Sequence, residues 1–93
     1  MRVFIPTPLR SYTAGKGEIE LTSSTLRELL SEMNVHYPGI RFRIIDEQDG
    51  IRQHIKLFVN AEQAHELDVK LSPRDQIHII CALSGGLDAD SAG

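Results

Sequence analysis

The chain has 93 residues, 41% hydrophobic and 25% charged, which suits one globular domain large enough to fold without staples. Thirteen acidic against ten basic side chains leave a formal charge of −3, which argues against a nucleic-acid binder working by phosphate neutralisation. A lone cysteine, Cys81, excludes an internal disulfide, and no apolar run suits a signal peptide or a membrane span, so the expected setting is cytoplasmic and reducing.

In chain order, Val3-Phe4-Ile5 reads as a short strand that Pro6 limits, because proline donates nothing to a ladder. Pro6 to Gly17 is a long connection, with Gly15 and Gly17 where the chain must turn. Gly15-Lys16-Gly17 lacks the full phosphate-loop pattern and reads as part of that loop. Glu18-Ile19-Glu20-Leu21-Thr22 alternates polar and apolar, as a half-buried strand does. The two strands, joined by a loop, are expected to pair antiparallel. The period then changes: Leu26, Leu29, Leu30 and Met33 make one stripe of an amphipathic helix. Thr25 is a fitting N-cap, Glu28 completes a capping box, and Pro38-Gly39 stops the helix.

Ile40 to Asp46 fits either a strand or a short helical turn packing Ile44, and Glu47 to Gly50 is a turn. Ile55 to Asn60 is a strand with Ile55, Leu57 and Val59 on one face; Ala61 to Ser72 is mixed, read as a brief strand and a turn of helix ending at Leu71. Gln76-Ile77-His78-Ile79-Ile80-Cys81-Ala82-Leu83 is a buried strand in composition, followed by Ser84-Gly85-Gly86 and then Leu87 to Gly93. Cys81 alternates with Ile79 and Leu83 and is expected to turn inward as a small hydrophobe. The four histidines show no metal-ligand spacing. Arg41, Arg43 and Arg52 read as a basic patch, a solvated face in preference to a docking site for an acidic partner.

One helix of about three turns covers only one face of such a sheet. If Val3, Ile5, Ile55, Leu57, Val59, Ile77 and Ile79 face the helix, then Phe4, Phe58, His78 and Ile80 face away. Grouped surface apolars mark partner surfaces, so these four are expected to form a docking patch.

The segments Ile5-Pro6-Thr7-Pro8-Leu9-Arg10, Thr25-Leu26-Arg27-Glu28-Leu29-Leu30, Tyr37-Pro38-Gly39, Phe58-Val59-Asn60 and Ser84-Gly85-Gly86 together resemble the β-grasp sulfur-carrier family. That family includes the thiamine carrier, the small subunit of molybdopterin synthase and the carrier used in cysteine synthesis. The stretch from Arg43 to His54 looks closest to the cysteine-type carriers.

The resemblance implies an α+β, ubiquitin-like β-grasp fold: a mixed sheet of four to five strands with one main helix across one face. It implies a domain over residues 1–86 and a C-terminal extension, 87–93, removed by proteolysis. The site it implies is Gly86, whose freed carboxylate is adenylated on a ubiquitin-activating-type enzyme and then converted by a persulfide sulfur to a thiocarboxylate. Ser84, Gly85 and Gly86 would form the arm that enters the activating enzyme, since glycine lets backbone approach backbone. Gly86 and Leu87 would flank the cut made by a JAMM-type metalloprotease, and a sulfur-accepting synthase would receive the cargo.

On this reading the chain is a carrier, not an enzyme. It binds no cofactor, its partner uses ATP, and neither nucleic acid nor membrane is expected as a partner. The alternatives are a ubiquitin-like protein modifier, the small subunit of molybdopterin synthase, and an interaction module whose diglycine is incidental.

Overall fold

A computed structural model describes residues 1–82. Five strands form one sheet: β1 (Arg2–Phe4), β2 (Glu18–Glu20), β3 (Ile55–Val59), β4 (Glu62–Ala64) and β5 (Gln76–Cys81), in the order β2-β1-β5-β3-β4. The central pair, β1 and β5, is parallel, with Val3 opposite Ile77. The other pairs are antiparallel, so the expected β1–β2 pairing is present, with Val3 opposite Ile19.

Two helices lie between β2 and β3: α1 (Leu26–His36) and the shorter α2 (Ile40–Ile44). The α1 stripe of Leu26, Leu29, Leu30 and Met33 is buried with Val3, Ile5, Leu57, Ile77 and Ile79 in one core. Each such aliphatic side chain taken out of water contributes roughly 1.5–3 kcal/mol before the cost of ordering it.

Local chemistry sets the helix ends. Thr25 Oγ1 accepts from the Glu28 N–H at 3.2 Å. The reciprocal half of the expected capping box is shifted by one residue, because Glu28 Oε1 accepts from the Ser24 N–H at 3.0 Å. The first-turn N–H groups of Leu26 and Arg27, which no helix satisfies internally, donate to the carbonyls of Val69 and Leu67. This corrects the expected turn of helix before Leu71. After β4 the chain turns at Leu67–Asp68 and runs extended past α1, with Lys70 bridged to Thr25. Carbonyls engaged in capping another helix are not available to one of their own.

The ambiguous stretch resolves as helix and then bridge. Gly39, in the left-handed region at φ 98°, reverses the chain out of α1. Asn34 Oδ1 accepts from the N–H groups of Gly39 and Arg41 and so ties the two helices. Ile45 then pairs with Ile51. In the turn between them, Asp46 Oδ1 accepts from the N–H groups of Gln48 and Gly50. Asp49 meets Arg27 of α1 at 2.8 Å and Arg41 of α2 at 3.0 Å, while Arg27 also meets Asp68.

Candidate functional site

The strand that leads to the diglycine occupies the centre of the sheet, held by β1 on one side and β3 on the other. Its last rung pairs Cys81 with Ile55, and the Ala82 N–H donates to the His54 carbonyl at 2.7 Å. Ser84, Gly85, Gly86 and Leu87 lie outside the described residues.

On the open face, three rings form a row across three strands. Phe4 stands opposite His78, and Phe58 stands opposite His78 from the other side. The Phe4 and His78 rings are stacked, with centroids 4.6 Å apart and planes 6° from parallel. Cross-strand neighbours on one face are close enough for such contact. All three rings are half-buried. Glu18 and Gln63 end the row, opposite Phe4 and Phe58. Ile80, 44% exposed, lies one rung nearer the strand's end, opposite Lys56. It shares a cleft of about 600 Å³ with Phe4, Pro6, Pro8, Arg10 and Cys81. The structure therefore gathers Phe4, His78 and Phe58 and sets Ile80 beside them.

Around the end of β5, on the α2 side, lies a second cleft of about 350 Å³, lined by Pro8, Phe42, Arg43, Arg52, His54 and Cys81 among others. It shares Pro8 and Cys81 with the first. Because α2 buries Ile40 and Ile44, four apart on one side, Phe42 falls on the other and is 53% exposed. The Arg52 guanidinium sits 4.5 Å from the Phe42 ring centroid, and its Nε donates to the Phe42 carbonyl at 2.7 Å. Arg43 lies 5.9 Å from the Tyr12 ring. The three arginines read as one solvated face thus separate: Arg41 is paired with Asp49, while Arg43 and Arg52 rest on rings.

Cys81 does alternate with Ile77 and Ile79, but as the last rung it is only half-buried. That partial burial pushes its thiol up from the ordinary range, so the group stays protonated and poorly nucleophilic near neutral pH. Another cleft, about 730 Å³, lies over α1 beside Ser24, Arg27, Ser31, Val35 and Pro73 and contains no residue of β5. Among the described residues no three His, Cys, Asp or Glu side chains gather as a metal site, and no helix is long and apolar enough to cross a membrane. Sequence reasoning missed Phe42 and the seat of Arg52 upon it; the Ile40/Ile44 spacing was the available signal for the first.

Residues 3–86 match the sequence pattern of the ThiS family. The sulfur carrier protein CysO of Mycobacterium bovis is 29% identical over 89 residues, which cover 90% of this chain and 96% of that protein. A chain in the crystal structure of the Amycolatopsis orientalis BexX/CysO complex superposes with a TM-score of 0.84 at 28% identity, covering 91% of this chain and 98% of that one. Crystalline CysO of Mycobacterium tuberculosis gives a TM-score of 0.81 at 26% identity, with coverage of 88% and 98%.

Proposed function

The chain belongs to the ThiS family of ubiquitin-like sulfur carriers, and from that premise we propose that it carries sulfur as a thiocarboxylate on Gly86. The observation that carries this reading is where the family match closes: on Gly86, the second residue of the diglycine. The body supports it by geometry. The strand that leads there is the central one, and Gly86 is the fourth residue beyond Ala82, a reach of at most about 14 Å. An arm of that length enters a partner's site while the domain docks outside it.

The chemistry then follows from the carboxylate. Freed Gly86 attacks the α-phosphate of ATP on a ubiquitin-activating-type enzyme, pyrophosphate leaves, and an acyl-adenylate forms. The terminal sulfur of a persulfide attacks the acyl carbon and AMP leaves. A thiol then cleaves the acyl disulfide to a disulfide and the thiocarboxylate, which a synthase accepts as its sulfur source. The protein serves as a co-substrate, a group carrier rather than a catalyst. The resemblance to CysO makes cysteine biosynthesis the preferred destination.

In the chain as it stands, the Gly86 carboxyl carbon is bonded to the nitrogen of Leu87, and an amide offers no nucleophilic oxygen to ATP. Residues 87–93 are therefore removed first, by a JAMM-type metalloprotease cutting between Gly86 and Leu87. The test compares the full chain with one ending at Gly86, each incubated with the cognate activating enzyme, ATP and a sulfur donor. Mass spectrometry should find the oxygen-to-sulfur exchange only in the shortened chain. Equal conversion of the full chain with its tail retained would overturn the reading.

A further inference from the structure

We infer that the cleft between α2 and the end of β5 docks an acidic segment of the protein that receives the C-terminal arm, with Arg52 and Arg43 meeting its carboxylates and Phe42 its apolar flank. The assignment to an arm-receiving protein rests on the carrier reading above; the cleft itself rests on charge and geometry.

The charge distribution is the first ground. The chain carries a net −3, yet among the described residues no aspartate or glutamate lines this cleft or the adjoining one on the open face. Instead Arg43, Arg52 and His54 line the first and Arg10 the second, and Lys56 stands opposite Ile80. The second ground is that, among the described residues, these guanidinium groups have no carboxylate partner. Arg2, Arg27 and Arg41 are each paired with a carboxylate. Among the described residues Arg43 and Arg52 have none within the 4.0 Å of an ion pair, and no Nη of either is hydrogen-bonded. Asp46 lies within electrostatic reach of Arg52, but its Oδ1 accepts from Gln48 and Gly50.

Preorganisation is the third. Arg52 is held over the Phe42 ring and by its Nε bond, so its fork loses little freedom on meeting a carboxylate. The fourth is continuity: Cys81, the last residue of β5, belongs to both clefts, so this cleft borders the strand end that a protein taking the arm approaches. An exposed phenylalanine and a proline beside the cations favour a protein segment, which brings apolar side chains, over a free phosphate, which brings none.

The ¹⁵N-labelled full chain, titrated with a short peptide of alternating glutamate and leucine, should show amide shifts centred on Phe42, Arg52, His54 and Cys81. These should fade with added salt, as exposed charge contacts do. The glutamine–leucine counterpart should give none. Arg52→Gln removes the fork but also a bond to the Phe42 carbonyl. Arg43→Glu is therefore the second variant, since Arg43 is exposed and only overlies Tyr12. Each should weaken the peptide about tenfold or more, whereas Arg74→Glu, in a cleft at the opposite end of the sheet beside Met1 and Gln76, should not. With the chain ending at Gly86, Arg43→Glu should raise KM and spare kcat for the activating enzyme or the sulfur-accepting synthase.

Absent shifts, equal shifts with the glutamine peptide, the same pattern from inorganic phosphate alone, or KM unchanged with both enzymes would overturn the inference. If the unsubstituted chain gains no sulfur at all, the reading of Gly86 fails, while the peptide titration still decides the cleft.

Discussion

The two faces of the sheet are made from alternate residues of the same strands, yet different forces hold them. Along β5, Ile77 and Ile79 are 0% and 4% exposed beneath the helices, while Ile80, the next residue, is 44% exposed. The covered face is dry and aliphatic, and hydrophobic burial there supplies the stability. The open face stacks Phe4 on His78 and sets Phe58 opposite His78 on the next strand, while water still reaches all three. One strand therefore contributes to the fold with its odd-numbered residues and presents a surface with its even-numbered ones. Substitutions on the two faces should fail in different ways.

The largest effect belongs to the covered face. Leu29→Ala, at a fully buried position of α1, should cost about 2–5 kcal/mol, read as a fall in the urea midpoint. A midpoint that barely moves would mean that α1 does not seal this face. Next is the link between the helices. Gly39→Ala places a Cβ 3.2 Å from the Tyr12 ring at a φ of +98°, which should cost more than about 1 kcal/mol. A stability gain there would show the turn to be freer than its geometry.

The open face supplies the contrast. Ile80→Asp should change stability by less than about 1 kcal/mol while slowing adenylation of the chain ending at Gly86. Folded Ile80→Asp that is activated at the normal rate would leave the row of rings without a docking role.

The smallest effect is electrostatic. Hydrogen bonds from Arg27 and Arg41 hold the Asp49 carboxyl below its ordinary value of 3.8, and the backbone N–H groups of Gly50 and Gln48 do the same for Asp46. A depressed folded-state pKa stabilises above the unfolded value and is lost as pH falls through the folded one. Stability should thus decline below about pH 4, and Asp49→Asn should flatten part of that decline. An acid profile unchanged by that substitution would show that the pairs are too solvated to matter.

Much of this was legible without coordinates, for identifiable reasons. Period-2 alternation placed Ile55, Leu57, Ile77 and Ile79 on one face and Phe4, His78 and Ile80 on the other, because side-chain direction along a strand is fixed locally. The stripe from Leu26 to Met33 and the Thr25 cap were legible for the same reason. The sequence also showed the diglycine and its resemblance to a carrier family, since both are properties of order along the chain.

Contacts between distant residues settled the rest. Ile40 to Ile44 could pack as strand or helix until Asn34 reached across to the Gly39 and Arg41 N–H groups. The residues after β4 carry helical composition but are drawn out by α1, whose unsatisfied N–H groups take the Leu67 and Val69 carbonyls. Cys81 alternates inward yet stays half-buried, because at the last rung it borders two clefts. Arg52 finds Phe42 ten residues back only once α2 has turned that ring outward. A local pattern sets which way a side chain points, and only the folded chain decides what it meets there.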